Sequence, residues 1–129
     1  MSVSKGLKIR NKIFFILALL YSGLIFYLSS LSRPVPELQF LFSYDKVIHC
    51  VEYGIFAFLW WFGLQNFIRD KVLLNRVVFI WGIVYGVSDE IHQSFVPGRV
   101  CSIFDIIADI IGILIFILII RYYDKKNNS

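Results

Sequence analysis

Four polar side chains that can move protons or bind ligands lie between two apolar stretches. Asp89, Glu90, His92 and Gln93 follow one apolar run and precede another. Carboxylates and an imidazole can transfer protons, accept hydrogen bonds from hydroxyl groups or bind cations. Because ionisable groups beside lipid cost free energy, such groups at the end of a membrane helix are functional candidates.

Other polar residues begin or interrupt two further apolar runs. Asp45, Lys46 and His49 stand at the start of one run, and Asp105 and Asp109 interrupt the last one. If these segments meet, the five carboxylates named so far and that of Glu52 lie together. These six carboxylates face only three cations, which are Arg33, Lys46 and Arg99. A buried excess of negative charge has to be balanced by protonation, by solvent or by a bound cation.

The elements that position these residues are predicted to be membrane helices. The 129 residues are 58% hydrophobic with a mean hydropathy of +0.72, and the apolar runs show no polar face, which excludes a soluble helical bundle. We predict one domain, residues 1–129, that is an all-α membrane protein with four transmembrane helices. Each run is long enough to cross a hydrocarbon core of about 30 Å. The helices are expected at about residues 13–31, 47–68, 77–95 and 103–120, with an interfacial loop over residues 32–44.

Basic residues predict the orientation of this bundle. Ten of the 13 Lys and Arg residues fall in the two tails and the middle loop, and three fall in the other two connections. The positive-inside rule therefore places both termini in the cytoplasm of a multi-pass cell-membrane protein. The basic residues flank apolar runs and form no stripe, so no nucleic-acid partner is predicted. Seven of the nine acidic residues then lie at the outer face: Glu37, Asp45, Glu52, Asp89, Glu90, Asp105 and Asp109.

Helical periodicity directs the polar residues inward. Asp89 and Gln93 share a face of the third helix with Gly82 and Gly86, whose spacing lets another helix approach closely. The polar face is thus the packed face, and the same glycines are a candidate contact between copies of the chain. The fourth helix has an equivalent face, and a serine-bearing stripe follows the first. Together these faces predict one polar pocket that opens outward.

The motifs resemble those of the VanZ-like family of small membrane proteins. The matching elements are D-K-x-x-H-x-x-x-Y from Asp45, D-E-x-H-Q-x-F-V-P-G-R from Asp89, and D-x-x-A-D-x-x-G from Asp105. The resemblance implies a multi-pass membrane location and a link to resistance against the glycopeptide teicoplanin. Family members usually carry Asn where Asp109 stands here, so this chain has an additional charge at that position.

The leading hypothesis is recognition of an outer-leaflet lipid head group or a cell-envelope precursor. Arg33, Lys46 and Arg99 would hold an anionic group, and the acidic and amide residues would bind hydroxyls or amides. The candidate ligand-binding residues are Arg33, Asp45, Lys46, His49, Tyr53, Asp89, Glu90, Gln93, Arg99, Asp105 and Asp109.

Three alternatives remain open from the sequence. The protein could be an intramembrane hydrolase or transferase, with Asp89 or Glu90 as general base and His49 as proton shuttle. It could instead be a proton-coupled transporter. The polar residues could also form only a structural network, with Asp105 capping the fourth helix.

No metal site or cofactor is predicted, because the chain has no H-E-x-x-H or comparable signature. Cys50 and Cys101 are expected to be two unrelated thiols, with one disulfide as the alternative.

Overall fold

The computed structural model describes residues 3–32 and 45–127. They form four helices: α1 (Val3–Ser30), α2 (Asp45–Leu64), α3 (Lys71–Ser94) and α4 (Ile103–Asn127), with no strand in these ranges. All four are long and apolar enough to cross a membrane. The prediction of an all-α, four-helix membrane protein is confirmed, whereas the side on which the termini lie stays a prediction.

The helices extend beyond most of the apolar runs. α1 begins at Val3 and α4 continues to Asn127, because the lysine and arginine residues of the tails also favour helix. α3 begins at Lys71, where the Asp70 carboxylate caps it by accepting hydrogen bonds from the backbone of Val72 at 2.8 Å and Leu73 at 3.2 Å. Hydropathy therefore predicts which part of each helix lies inside the bilayer, but it does not predict where the helix begins and ends.

Aromatic side chains of α2 and α3 fill the centre of the bundle. α2 contacts each of the other three helices, and its Phe56 is fully buried and stacks on Tyr85 with ring centroids 4.9 Å apart. Trp60 packs edge-to-face on Trp81 at 5.7 Å, and Trp61 is 3% exposed. The tryptophans therefore serve packing. Large apolar side chains on the outside of the bundle are exposed, as expected of helices that face lipid, and they include Leu20, Ile80, Ile107 and Leu118.

Glycines allow the helices to approach closely. A Cβ atom on Gly112 of α4 would overlap the backbone carbonyl oxygen of Cys50 on α2. One on Gly82 would overlap the side chain of Ile113, and one on Gly86 would lie 2.9 Å from Asp109 Oδ2. The Gly82 and Gly86 face of α3 is thus used within the chain, against α4.

The end of the bundle that contains the two termini is held by polar contacts between helix ends. Asn11 donates to Asn66 at 3.1 Å, and Lys71 pairs with Asp124 at 2.7 Å. We call the opposite end the polar end. It consists of the C-terminal end of α1, the N-terminal end of α2, the C-terminal end of α3 and the N-terminal end of α4.

Candidate functional site

The polar end contains most of the buried polar side chains of the described residues. Seven of them are at most 5% exposed, and all four helices contribute: Ser29, His49, Asp89, Glu90, Gln93, Asp105 and Asp109. Asp89, Gln93, Gly82 and Gly86 are all buried on α3, as are Asp105, Ala108, Asp109 and Gly112 on α4. The inward faces inferred from helical periodicity are therefore present.

His49 lies at the centre of three carboxylates. Its Nδ1 atom is 2.9 Å from Asp109 Oδ1, which is hydrogen-bonding distance. Its Nε2 atom is 4.0 Å from Asp45 Oδ1 and 3.9 Å from Asp105 Oδ2, which is too far for hydrogen bonds. Hence one side of the imidazole is fixed by Asp109, and the other side faces two carboxylates.

Lys46 balances part of this negative charge at the edge of the cluster. Its ammonium group forms an ion pair with Asp105 Oδ1 and lies 3.7 Å from Asp45 Oδ2. The side chain of Lys46 is 48% exposed, whereas that of Asp105 is 5% exposed. Lys46 can therefore contact a group outside the protein while it remains beside Asp105.

Gln93 connects a second group of polar residues to α1. Its amide nitrogen donates to Asp89 Oδ2 at 3.1 Å and to Ser29 Oγ at 3.3 Å. Its amide oxygen accepts from Arg99 Nη1 at 3.4 Å. Arg99 also donates to the backbone oxygens of Leu28 and Leu31, at 2.8 and 3.1 Å. Arg99 thus holds two backbone carbonyl groups, one in the last turn of α1 and one just beyond it.

Glu90 connects α3 to the start of α4. Its Oε2 atom accepts a hydrogen bond from the backbone nitrogen of Ser102, the residue before α4, at 3.0 Å. Glu90 is 1% exposed, so its side chain is buried within the bundle. Asp105, which the structural alternative assigned to capping α4, lies in the first turn of that helix and also pairs with Lys46.

Several buried polar atoms have no hydrogen-bond partner among the described residues. At the polar end they are one carboxylate oxygen each of Asp89, Glu90 and Asp109 and the hydroxyl group of Tyr53; elsewhere they are Asn11 Oδ1 and Trp81 Nε1. A buried acceptor without a partner costs free energy, so such atoms are places where a ligand, a proton or a water molecule would be stabilised.

A model of the VanZ/LLP1 family matches residues 4–124 of the chain. The chain belongs to the VanZ/LLP1 family. An uncharacterized protein of Schizosaccharomyces pombe, C11E3.10, is 26% identical over 122 residues, which cover 92% of this chain and 68% of the yeast protein. No solved structure shows significant similarity to the chain. The resemblance found in the motifs is therefore confirmed.

The VanZ-like motif residues form two adjacent groups in the structure. Asp45, Lys46, His49, Asp105 and Asp109 lie around the imidazole, and Asp89, Gln93 and Arg99 lie beside α1. Tyr53 and Asp109 lie at Gly86, where a Cβ atom would be 3.3 Å from Tyr53 Cε1, so the two groups adjoin. Their roles in binding or catalysis stay predictions. Arg33 and most of the expected interfacial loop lie outside the described residues.

Two residues near the site were not expected where the structure places them: His92 lies away from the carboxylates, and Ser29 contacts Gln93. His92 contacts α1 instead of the carboxylates, with its ring stacked on Phe26 at 4.4 Å and its Nε2 atom 2.9 Å from Ser30 Oγ. Ser29, which binds Gln93, was not among the predicted site residues. Its position on the serine-bearing stripe of α1 was the available signal, although the stripe does not identify the partner.

An apolar groove between α1 and α2 reaches the polar end. Its volume is about 390 Å³, and a half-buried carboxylate, that of Glu52, is among its lining residues. The other lining residues are Tyr21, Leu24, Ile25, Leu28, Val47, Ile48, Val51 and Ile55. Leu28 lines the groove with its side chain while its backbone oxygen holds Arg99, so the groove and the polar residues are contiguous.

Cys50 and Cys101 are both free thiols. The expectation of two unrelated thiols agrees with this arrangement, and the disulfide alternative does not.

Proposed function

We propose that this VanZ/LLP1 protein recognises the head group of a membrane lipid or of a lipid-linked envelope precursor at its polar end. The proposal depends on one observation: the apolar groove between α1 and α2 lies directly beside Lys46, Arg99 and the buried carboxylates. A lipid has the same arrangement of parts, with an apolar chain joined to a polar head.

The groove supports a lipid as ligand because it lies between helices that face the bilayer. Seven of its nine lining residues are aliphatic, and Glu52 and Tyr21 are the other two. An apolar depression on a lipid-facing surface is filled by acyl chains. A chain held there would place its head group near Val47, and hence next to Lys46 and Asp45.

The charges at the polar end favour a head group that contains both a phosphate and hydrogen-bond donors. Lys46 and Arg99 supply positive charge for a phosphate. The buried oxygens of Asp89, Glu90 and Asp109 that lack partners among the described residues would accept hydrogen bonds from hydroxyl or ammonium groups. Because the carboxylates outnumber these two cations, a phosphate without such donors would fit less well.

The expected orientation would place this ligand in the outer leaflet. Sugar- and peptide-bearing precursors of the envelope also carry phosphates and many donors. Binding of such a precursor would explain how a family member influences susceptibility to glycopeptides, which act at the cell surface.

Native mass spectrometry of the purified protein tests the proposal with three lipids that have identical acyl chains. Phosphatidylethanolamine and phosphatidylglycerol carry donors, whereas phosphatidylcholine has a phosphate but no donor. We expect retention of the first two over phosphatidylcholine. We also expect Lys46→Gln to weaken retention, with Lys126→Gln, an exposed change near the other end of the bundle, as the matched control. Equal retention of all three lipids would refute the proposal.

A second candidate function, hydrolysis or group transfer within the membrane, is favoured by the contact between His49 and Asp109. A carboxylate bonded to one imidazole nitrogen fixes the tautomer and leaves the other nitrogen to act as acid or base. The general base would then be His49, held by Asp109, rather than Asp89 or Glu90. Incubation with total lipid extract, followed by mass spectrometry, should yield a product with wild-type protein and with His92→Ala but not with His49→Ala. Lipids left unchanged by the wild-type protein would exclude this function.

A further inference from the structure

We infer that Asp45, His49 and Asp105 form a binding site for one divalent transition-metal ion. Each residue offers one donor atom, and the three atoms lie within 4.8 Å of one another. His49 and Asp105 are buried and Asp45 is half-buried, so the site is at the edge of the polar end. The inference is independent of the proposed lipid recognition.

The distances between donor atoms are close to those of a metal site. His49 Nε2 is 4.0 Å from Asp45 Oδ1 and 3.9 Å from Asp105 Oδ2. Ligands at about 2.0–2.2 Å from a tetrahedral ion are roughly 3.4 Å apart. A closure of about half an ångström, within reach of side-chain torsions, would bring these two nitrogen–oxygen distances to that value.

His49 is prepared to act as a ligand by the residue behind it. Asp109 fixes the Nδ1 atom at 2.9 Å, which turns Nε2 toward the two carboxylates. Metal-bound histidines usually have such a carboxylate or carbonyl partner on the other ring nitrogen. The side chain of His49 is 6% exposed, and no hydrogen bond to its Nε2 atom occurs among the described residues. A metal ion would give this nitrogen a partner.

Lys46 approaches the two carboxylates through oxygen atoms other than the proposed ligand atoms. It approaches Asp105 through Oδ1 and Asp45 through Oδ2, whereas the atoms that face His49 are Asp105 Oδ2 and Asp45 Oδ1. Each carboxylate can thus interact with Lys46 through one oxygen and with a metal ion through the other. The bound ion would also reduce the excess negative charge of the polar end.

The donor set indicates the class of ion. One imidazole and two carboxylates suit Zn²⁺ or Mn²⁺, whereas Mg²⁺ prefers oxygen ligands alone. Three protein ligands leave at least one position open for water or for a phosphate oxygen. Zn²⁺ is the first ion to test, with Mn²⁺ and Mg²⁺ for comparison.

Zn²⁺ titration of the purified protein, monitored by calorimetry at neutral pH after treatment with a chelator, tests the inference. The background is Cys50→Ser with Cys101→Ser, so that thiols do not contribute. We expect one Zn²⁺ per chain and a higher melting temperature with the ion. His49→Gln and Asp105→Asn should each weaken binding at least tenfold. Asp109→Asn should weaken it about 10- to 100-fold, the usual effect of removing the partner of a metal-bound histidine.

Two exposed or half-exposed residues away from the three ligands provide matched controls. His92→Gln and Asp124→Asn change the same residue types and should leave Zn²⁺ affinity unchanged. Asp45→Asn provides a further ligand variant at a half-buried position, should a change at a buried ligand prevent folding. The inference is overturned if the parent protein binds no Zn²⁺, or if the ligand variants bind it as tightly as the controls.

Discussion

The buried carboxylates of the polar end each use only part of their hydrogen-bonding capacity within the protein. Asp89 accepts from Gln93 through one oxygen, Glu90 from the backbone of Ser102, and Asp109 contacts His49. In each case the other oxygen has no partner among the described residues. A purely structural network would be expected to satisfy both oxygens, because an unpaired buried acceptor destabilises the fold.

The substitution Asp89→Asn distinguishes a structural role of this residue from a role in ligand binding. Asparagine keeps an oxygen for Gln93 and replaces the other oxygen with a donor, so the protein should fold as well as wild type or better. A ligand donor that faces Asp89 would lose its acceptor. Since hydrogen bonds to charged groups contribute about 1.5–3 kcal/mol, we expect lipid retention to fall about tenfold or more. Thermal stability in detergent and native mass spectrometry are measured together.

Val87→Ala is the control for Asp89→Asn, because Val87 is on the same helix but is not part of the buried polar face. It should change neither stability nor lipid retention appreciably. A stable Asp89→Asn protein that retains lipid as wild type does would show that Asp89 only balances charge.

Sequence reasoning identified most of these residues but not their partners. The helical period shows that Asp105 and Asp109 share a face, and the described structure buries both. The period cannot show that Asp109 meets His49 while Asp105 meets Lys46, because the rotation and relative height of neighbouring helices are set by packing. The inferred metal site was missed for the same reason, since its ligands come from two helices and form no local motif.

At the scale of elements, Arg99 fastens the connection between α3 and α4 to the end of α1. It donates to the carbonyl groups of Leu28, which also accepts from the backbone of Leu31, and of Leu31, which follows the last residue of α1. Sequence analysis assigned Arg99 to an anionic ligand from its type alone. Its guanidinium can contact a phosphate only in addition to these backbone contacts.

Arg99→Gln should therefore loosen the C-terminal end of α1. The loss of one or both hydrogen bonds, which contribute about 1 kcal/mol each, should speed amide hydrogen exchange near Leu28 roughly 5- to 30-fold. Exchange near Asn11, at the other end of α1, should stay the same. Arg76→Gln, an exposed change on α3, is the control. Unchanged exchange near Leu28 would show that the contacts of Arg99 do not hold α1.

Gly112→Ala tests the closest approach of two helices. The added methyl group would overlap the Cys50 carbonyl oxygen, so α2 and α4 would have to separate. Overpacking of this kind usually costs about 1–3 kcal/mol, and we expect a lower melting temperature in detergent. A melting temperature equal to that of wild type would contradict the close approach of α2 and α4.

Gly23→Ala is the matched control for Gly112→Ala. No atom lies within 4 Å of the position that its Cβ would take, and alanine favours helix over glycine by about 1 kcal/mol. The melting temperature of this variant should be unchanged or higher.

Helix number and helix ends were predictable to different extents. Four long apolar runs were sufficient for four spans, because the bilayer sets the length of each run. The start of α3 was not found from hydropathy, because the Asp70 cap, rather than the first apolar residue, begins that helix.

At the scale of the whole molecule, both described chain ends lie opposite the polar end. The excess of basic residues near the termini predicts that the polar end faces outward. This orientation decides which leaflet supplies the ligand.

Labelling of cysteines in intact cells with a membrane-impermeant maleimide measures the orientation. Cys101 is exposed at the polar end and should be labelled from outside. In a Cys50→Ser, Cys101→Ser background, Val72→Cys at the exposed start of α3 should be protected until the membrane is opened. If position 72 is labelled from outside and Cys101 is protected, the protein has the opposite orientation.

The pairing of Asp109 with His49 has a consequence for how the protein enters the membrane during synthesis. α4 carries two carboxylates in its first two turns, and an unpaired acidic residue in a membrane helix opposes insertion, by about 2.5–3.5 kcal/mol at the helix centre and by less toward an end. Their partners, His49 and Lys46, are on α2, which leaves the ribosome first. If α2 is still in the translocation channel or at its lipid boundary when α4 enters, Lys46 and His49 can neutralise the carboxylates of α4. Because α2 precedes α4 along the chain, the partner of each α4 carboxylate is synthesised before the carboxylate itself.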